Sequence, residues 1–289
     1  MGMSAGGTKA RGMAAAPALV LAQIASLQLG SAVAKQAYAS VGPTALAGMR
    51  LLFSAVVLWL LVRPRLRGIT AAQWRAALAL GLVVAAMNLA YFRAIEHLPI
   101  GVAATLELLG PLALSIALSR RIEHAVVALL ALAGVLLLTS PGAALPAAGL
   151  ALGGCAALCR TAYVVLSRRV GRLFPDWTGL TLALAAGACV LTPVTAVTDG
   201  GAVAARPAVV GVGFLVALLS SLIPYALDMT VLRRIDVRAF GVLLALSPAV
   251  AAAVGFVVLG ERLTGRQWGA VALIVVAGVW SVRAARSSA

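Results

Sequence analysis

Residues 88–111 read NLAYFRAIEHLPIGVAATLELLGP. This is an apolar helix, a short polar turn around His97-Leu98-Pro99, and a second apolar helix that carries one carboxylate, Glu107, well inside its run. The pattern returns 140 positions later, where residues 228–248 read DMTVLRRIDVRAFGVLLALSP. At that offset Arg93 meets Arg233, Ile95 meets Ile235, Glu96 meets Asp236, Gly101 meets Gly241, Val102 meets Val242 and Leu106 meets Leu246. A carboxylate in an apolar helix and a repeated hairpin are the two facts to explain.

The rest of the chain fixes the solvent. Of 289 residues, 63% are hydrophobic and 11% charged, where a soluble domain has roughly 25% charged residues. Apolar runs of about 20 residues mark membrane-spanning helices. Ten are expected, at about 15–37, 43–62, 75–95, 100–119, 124–140, 147–167, 177–197, 208–231, 239–259 and 267–283, joined by short links rich in Pro, Gly and charge. The fold class is an all-α polytopic membrane protein. Residues 1–14 form a short tail, 15–140 a first five-helix unit and 147–285 a second. Lys9 and Arg11 precede an apolar run too long for a signal-peptide core, so it reads as an uncleaved first helix.

The net charge of +15 does not indicate nucleic acid, because the basic residues sit in small clusters between apolar runs and form no stripe. They set topology instead. With the N-terminus inside, sixteen of the 23 Lys and Arg residues fall on the inner side, five on the outer side, and Arg50 and Arg160 within spans. That bias orients both termini to the cytoplasm. Five spans is an odd number, so two repeats joined directly lie in opposite senses across the membrane. Inverted repeats are a common carrier architecture, with the substrate path at the repeat interface. Duplication in a purely structural protein would leave the same trace.

The polar residues within spans are the candidate site. Glu107 lies about seven residues into its span, roughly 10 Å deep at 1.5 Å per residue, and Asn88 is level with it on the other arm of the hairpin. Arg50 lies at the same depth. Arg160 lies about seven residues from the inner end of its own expected span, level with Asp228 and Ser247. Depth therefore permits two pairs, Glu107 with Arg50 and Asp228 with Arg160. An ionised residue in a span costs several kcal/mol and marks a wet cavity or a partner; the plainer reading is a buried ion pair or a snorkelling side chain. Tyr91 and Tyr225 are further polar groups for the path. Pro111, Pro224 and Pro248 cannot donate to the carbonyls of Glu107, Ser220 and Leu244, which adds backbone acceptors. Cys155, Cys159 and Cys189 read as membrane-core residues, and His97 and His124 are too isolated for a metal site. With no nucleotide-binding loop and no nucleophile motif, neither an enzyme, a cofactor nor hydrolysis-driven transport is expected.

Three stretches, 26–51 (SLQLGSAVAKQAYASVGPTALAGMRL), 88–112 (NLAYFRAIEHLPIGVAATLELLGPL) and 220–261 (ending in GFVVLGE), resemble the drug/metabolite transporter superfamily with two EamA domains, and within it the bacterial threonine/homoserine exporter group. The resemblance runs through both halves. It implies an inner-membrane exporter of small hydrophilic metabolites, often amino acids, driven by the proton gradient. Close relatives tend to read Leu-Glu-Pro where this chain has Leu246-Ser247-Pro248, and the repeat sets Ser247 opposite Glu107. The expectation is a secondary exporter with substrate, protons and membrane lipids as its partners. The alternative is an exporter of lipophilic cations or drugs on the same fold, disfavoured by an aromatic content of only 5%, since cation sites favour rings. An intramembrane enzyme or a structural membrane partner is the reading from a different class.

Overall fold

The computed structural model describes residues 5–117, 130, 133–134, 137, 145–174, 176–224, 227 and 244–284. Among them the chain is helical and contains no strand. The helices are α1 (Ala5–Gln36), α2 (Pro43–Val62), α3 (Ala71–His97), α4 (Ile100–Ala117), α5 (Ala147–Leu173), α6 (Thr178–Ala205), α7 (Ala208–Ala217), α8 (Ser247–Leu259) and α9 (Gly265–Ala284). A 3₁₀ turn follows α1 at Ala37–Ala39, and a π turn continues α7 at Leu218–Leu222. Most of the expected span at 124–140, and residues 225–226 and 228–243 of the second hairpin with Tyr225 and Asp228, lie outside the described residues.

Local chemistry sets the helix ends. Pro43 opens α2 in its first turn, where a missing N–H costs nothing. Arg63 closes the same helix in the left-handed region at φ 47°, just before Pro64. A capping box opens α3: Thr70 Oγ1 accepts from the Gln73 amide at 3.3 Å, and Gln73 Oε1 accepts from the Thr70 amide at 2.8 Å. Leu98-Pro99 stops α3, because a residue before proline avoids the helical region.

Five described segments are long and apolar enough to cross a membrane: Ala18–Ala39, Pro43–Val62, Ala71–His97, Ala147–Leu173 and Thr178–Ala205. Four shorter apolar helices accompany them, Ile100–Pro111, Ala208–Leu222, Ser247–Leu259 and Gly265–Ala277. The outer surface has the matching chemistry. Leu61, Leu158, Val197 and Val257 are 74%, 74%, 87% and 78% exposed, a face suited to lipid and costly in water.

The closest packing joins early helices to late ones. α3 runs along α5 and α6, α2 along α6, α4 along α5 and α8, and α1 along α8. Small residues allow this, as usual where lipid removes the hydrophobic drive between helices. A Cβ on Gly81 would collide with the Ala183 carbonyl of α6, and one on Gly110 with the Ala157 carbonyl of α5. The interface between the N-terminal and C-terminal helices thus runs through the centre of the molecule.

Candidate functional site

A small cavity lies on that interface. Its walls are Leu27, Gln28 and Ser31 of α1, Arg50 of α2, Met87, Asn88 and Tyr91 of α3, Glu107 of α4 and Arg160 of α5. Five residues expected from the sequence therefore share one chamber: Glu107, Arg50, Asn88, Tyr91 and Arg160. Tyr225 and Asp228 are outside the described residues.

The Glu107 carboxylate meets Arg160, with Nη1 3.8 Å from Oε1. Glu107 and Arg160 were not paired by depth in the sequence; Asp228, the partner that depth permits for Arg160, lies outside the described residues. α5 continues through Arg168 and Arg169 to Leu173, with Arg160 at its middle. The close approach of α4 at Gly110 to Ala157 and Thr161 of α5 brings the two side chains together. At 3.8 Å the contact is one of charge, beyond hydrogen-bond length. Among the described residues no hydrogen bond reaches the Glu107 carboxylate, so its lone pairs stay available to a donor in the cavity. The Arg160 guanidinium also lies over Tyr163, 5.4 Å from the ring centre.

Arg50 is held against α7 and its π turn. Its Nε donates to Ser221 Oγ at 3.0 Å and its Nη2 to the Ser220 carbonyl at 2.8 Å. The guanidinium also covers the Phe92 ring, 5.5 Å from its centre. Pro224 is the reason a carbonyl waits there: it has no N–H for Ser220. Ser26 Oγ donates to the next free acceptor, the Leu219 carbonyl, at 2.6 Å. A π turn inside an α-helix commonly marks a functional position, and here its Ser220 carbonyl anchors a cation.

Four wall residues were not singled out in the sequence, the apolar Leu27 and Met87 and the polar Gln28 and Ser31. Gln28 and Ser31 are buried, at 3% and 1% exposure. Gln28 bridges the halves: its Nε2 donates to Ser247 Oγ at 3.2 Å, and its Oε1 accepts from Tyr91 Oη at 3.4 Å. Ser247, expected at the site, is thus linked to the chamber through Gln28. Ser31 Oγ donates to its own helix at Leu27 O, and Asn88 Nδ2 to Val84 O. The signal for Gln28 and Ser31 was available: Gln23, Ser26, Gln28, Ser31 and Lys35 form a polar stripe along an otherwise apolar first span.

The open volume is about 30 Å³, room for about one water molecule. Among the described residues no group of three or more His, Cys, Asp or Glu could hold a metal ion. The chamber offers one carboxylate, two guanidinium groups and a neutral polar wall. That set suits a small zwitterion, with donors for its carboxylate and an acceptor for its ammonium.

Comparison with known proteins agrees in kind. The EamA-like transporter family matches residues 147–283. The threonine/homoserine exporter RhtA of Salmonella typhimurium strain LT2 is 33% identical over 268 residues, covering 91% of this chain and 90% of the exporter. The RhtA exporter of Escherichia coli K12 is 32% identical over 273 residues, covering 93% and 91%. A crystal structure 23% identical in sequence superposes with a TM-score of 0.60 over 94% of this chain and 97% of its own, which shows a shared fold.

Proposed function

The chain belongs to the EamA-like transporter family, a family of transporters, and we propose that it is a secondary exporter of small hydrophilic amino acids, of the threonine or homoserine type. It works in the bacterial inner membrane with both termini cytoplasmic. Its ten spans form two inverted five-helix repeats, 15–140 and 147–285. One observation carries the reading: Glu107, its carboxylate without a hydrogen bond among the described residues, shares a central chamber with Arg50 and Arg160.

The substrate ammonium takes the open lone pairs of Glu107, and the substrate carboxylate takes a guanidinium, that of Arg50. Asn88, Tyr91 and Ser247, with Gln28, complete the polar wall. An amino acid is much larger than about 30 Å³, so it enters only when the halves part toward one side. That requirement is alternating access. Glu107 also supplies the coupling. A proton arriving from outside neutralises its carboxylate and releases the ammonium, so substrate leaves as a proton enters.

The test is counterflow uptake by the purified chain in proteoliposomes, screened over amino acids at two pH values. Uptake of hydroxylated amino acids that is lost in Glu107→Gln supports the reading. Equal transport by Glu107→Gln across the pH range would remove the coupling role. Cells protected against lipophilic dyes but not against amino-acid analogues would move the substrate to lipophilic cations.

A further inference from the structure

One charged cluster lies apart from the chamber. At the end of α1, Lys35 Nζ donates to Glu261 Oε1 at 2.6 Å and to the Leu98 carbonyl at 2.7 Å. Glu261 Oε2 accepts from the Ile100 amide at 2.9 Å. The two side chains are only 22% and 13% exposed. Three segments meet here: the end of α1, the α3–α4 turn, and the link from α8 to α9.

The chain builds this cluster with care for each partner. Leu259-Gly260-Glu261 ends α8, with Gly260 in the left-handed region at φ 66° and the Glu261 amide bonded back to the Gly255 carbonyl at 3.0 Å. That is the glycine-capped helix end. The carboxylate then folds over Gly255, where any Cβ would strike Oε2. Ile100 is the first residue of α4, so its amide is an orphan donor at a positive helix end.

We propose that Lys35 and Glu261 are the latch of the outer gate, closing the chamber toward the outside by fastening the N-terminal helices to the C-terminal ones. This rests on the alternating-access reading above. The cluster stands one helical turn beyond Ser31, a wall residue of the chamber, and at the end of the bundle opposite the basic loop of Arg63, Arg65 and Arg67. Deeper in the bundle the halves meet through close-packed helix faces and the chamber's own polar contacts, such as Gln28 to Ser247 and Arg160 to Glu107. At this end they are tied by a lysine and a carboxylate, 22% and 13% exposed, close enough to the surface for both charges to be hydrated once the segments part.

Labelling of a single cysteine tests the latch without any substrate. Ser31→Cys is placed in a chain whose Cys155, Cys159 and Cys189 are serine, and right-side-out vesicles are treated with a membrane-impermeant thiol reagent. Glu261→Gln and Lys35→Met should each raise the labelling rate about tenfold, the size expected on losing a hydrogen bond to a charged group. A pair that merely stabilises the bundle would lower the melting temperature and leave the rate unchanged, which overturns the proposal.

A second arm joins Lys35→Cys to Glu261→Cys with a reducible bifunctional thiol reagent. Transport should stop when the bridge forms and return on reduction; full transport while bridged also overturns the latch. Absence of amino-acid transport before bridging would count against the exporter reading, and the labelling arm would still decide the latch.

Discussion

Arg160 Nη1 lies 3.8 Å from Glu107 Oε1, across the contact between α4 and α5. The two charges are set in different halves of the chain and face each other across that contact. Removing one partner of a buried pair leaves the other charge uncompensated. Arg160→Gln should therefore destabilise the protein by about 1–2 kcal/mol, less than for a fully buried pair because the side chains are 33% and 21% exposed. The Glu107→Gln/Arg160→Gln double variant should recover most of that stability without recovering transport. Melting temperature in detergent and counterflow separate the two effects; a double variant no more stable than Arg160→Gln would contradict the pairing argument.

Arg50 makes two different bonds with one guanidinium, to Ser221 Oγ and to the Ser220 carbonyl. Lysine keeps the charge but not the planar fork. Arg50→Lys should raise the KM for amino-acid counterflow by about tenfold, the worth of one charge-assisted bond, with a much smaller change in the maximal rate. A KM equal to that of the unaltered protein would show that Arg50 serves only to brace α7.

Gly110 and Gly154 make a matched pair for a packing test. A Cβ on Gly110 runs into the backbone carbonyl of Ala157, which cannot move aside, while one on Gly154 meets nothing within 4 Å. Gly110→Ala should cost about 1–3 kcal/mol by overpacking and lower transport by displacing Glu107 from Arg160. Gly154→Ala should leave transport unchanged. If both variants behave alike, the close approach of α4 and α5 does not set the site.

How far the sequence carried depends on what each residue costs in a membrane. Glu107, Arg50 and Arg160 were legible because a charge inside an apolar run is expensive enough to stand out. Asn88 followed from the hairpin arithmetic, and Tyr91 from its place near Asn88. The end of α5 was not legible, because hydropathy falls at Ser167-Arg168-Arg169 whereas the helix runs on to Leu173. Backbone hydrogen bonding continues where the apolar run has ended. Gln28 and Ser31 carry no charge and cost little, so only their spacing on α1 marked them. The Lys35–Glu261 pair joins residues 226 positions apart, and no local pattern encodes such a pairing.

Ser247 gives the last prediction. It begins α8 and accepts from Gln28 Nε2 at 3.2 Å, and the internal repeat sets it opposite Glu107. The chain thus carries a carboxylate at one of two symmetric positions and a hydroxyl at the other. Ser247→Glu puts an acid back where the fold can accept it: a carboxylate at a helix N-terminus is stabilised by the helix dipole, and Gln28 already offers a donor. The variant should fold, and its transport should respond more steeply to pH than that of the unaltered protein. If each carboxylate titrates once per cycle, the slope of log rate against pH should rise from about one to about two, in keeping with the number of protons exchanged. Ser247→Gln, similar in size but uncharged, should leave the slope near its original value. Export measured from preloaded vesicles over a series of pH values reads the slope directly. The same slope for both variants would mean that the position opposite Glu107 takes no part in proton coupling, and that the coupling resides in the Glu107 half alone.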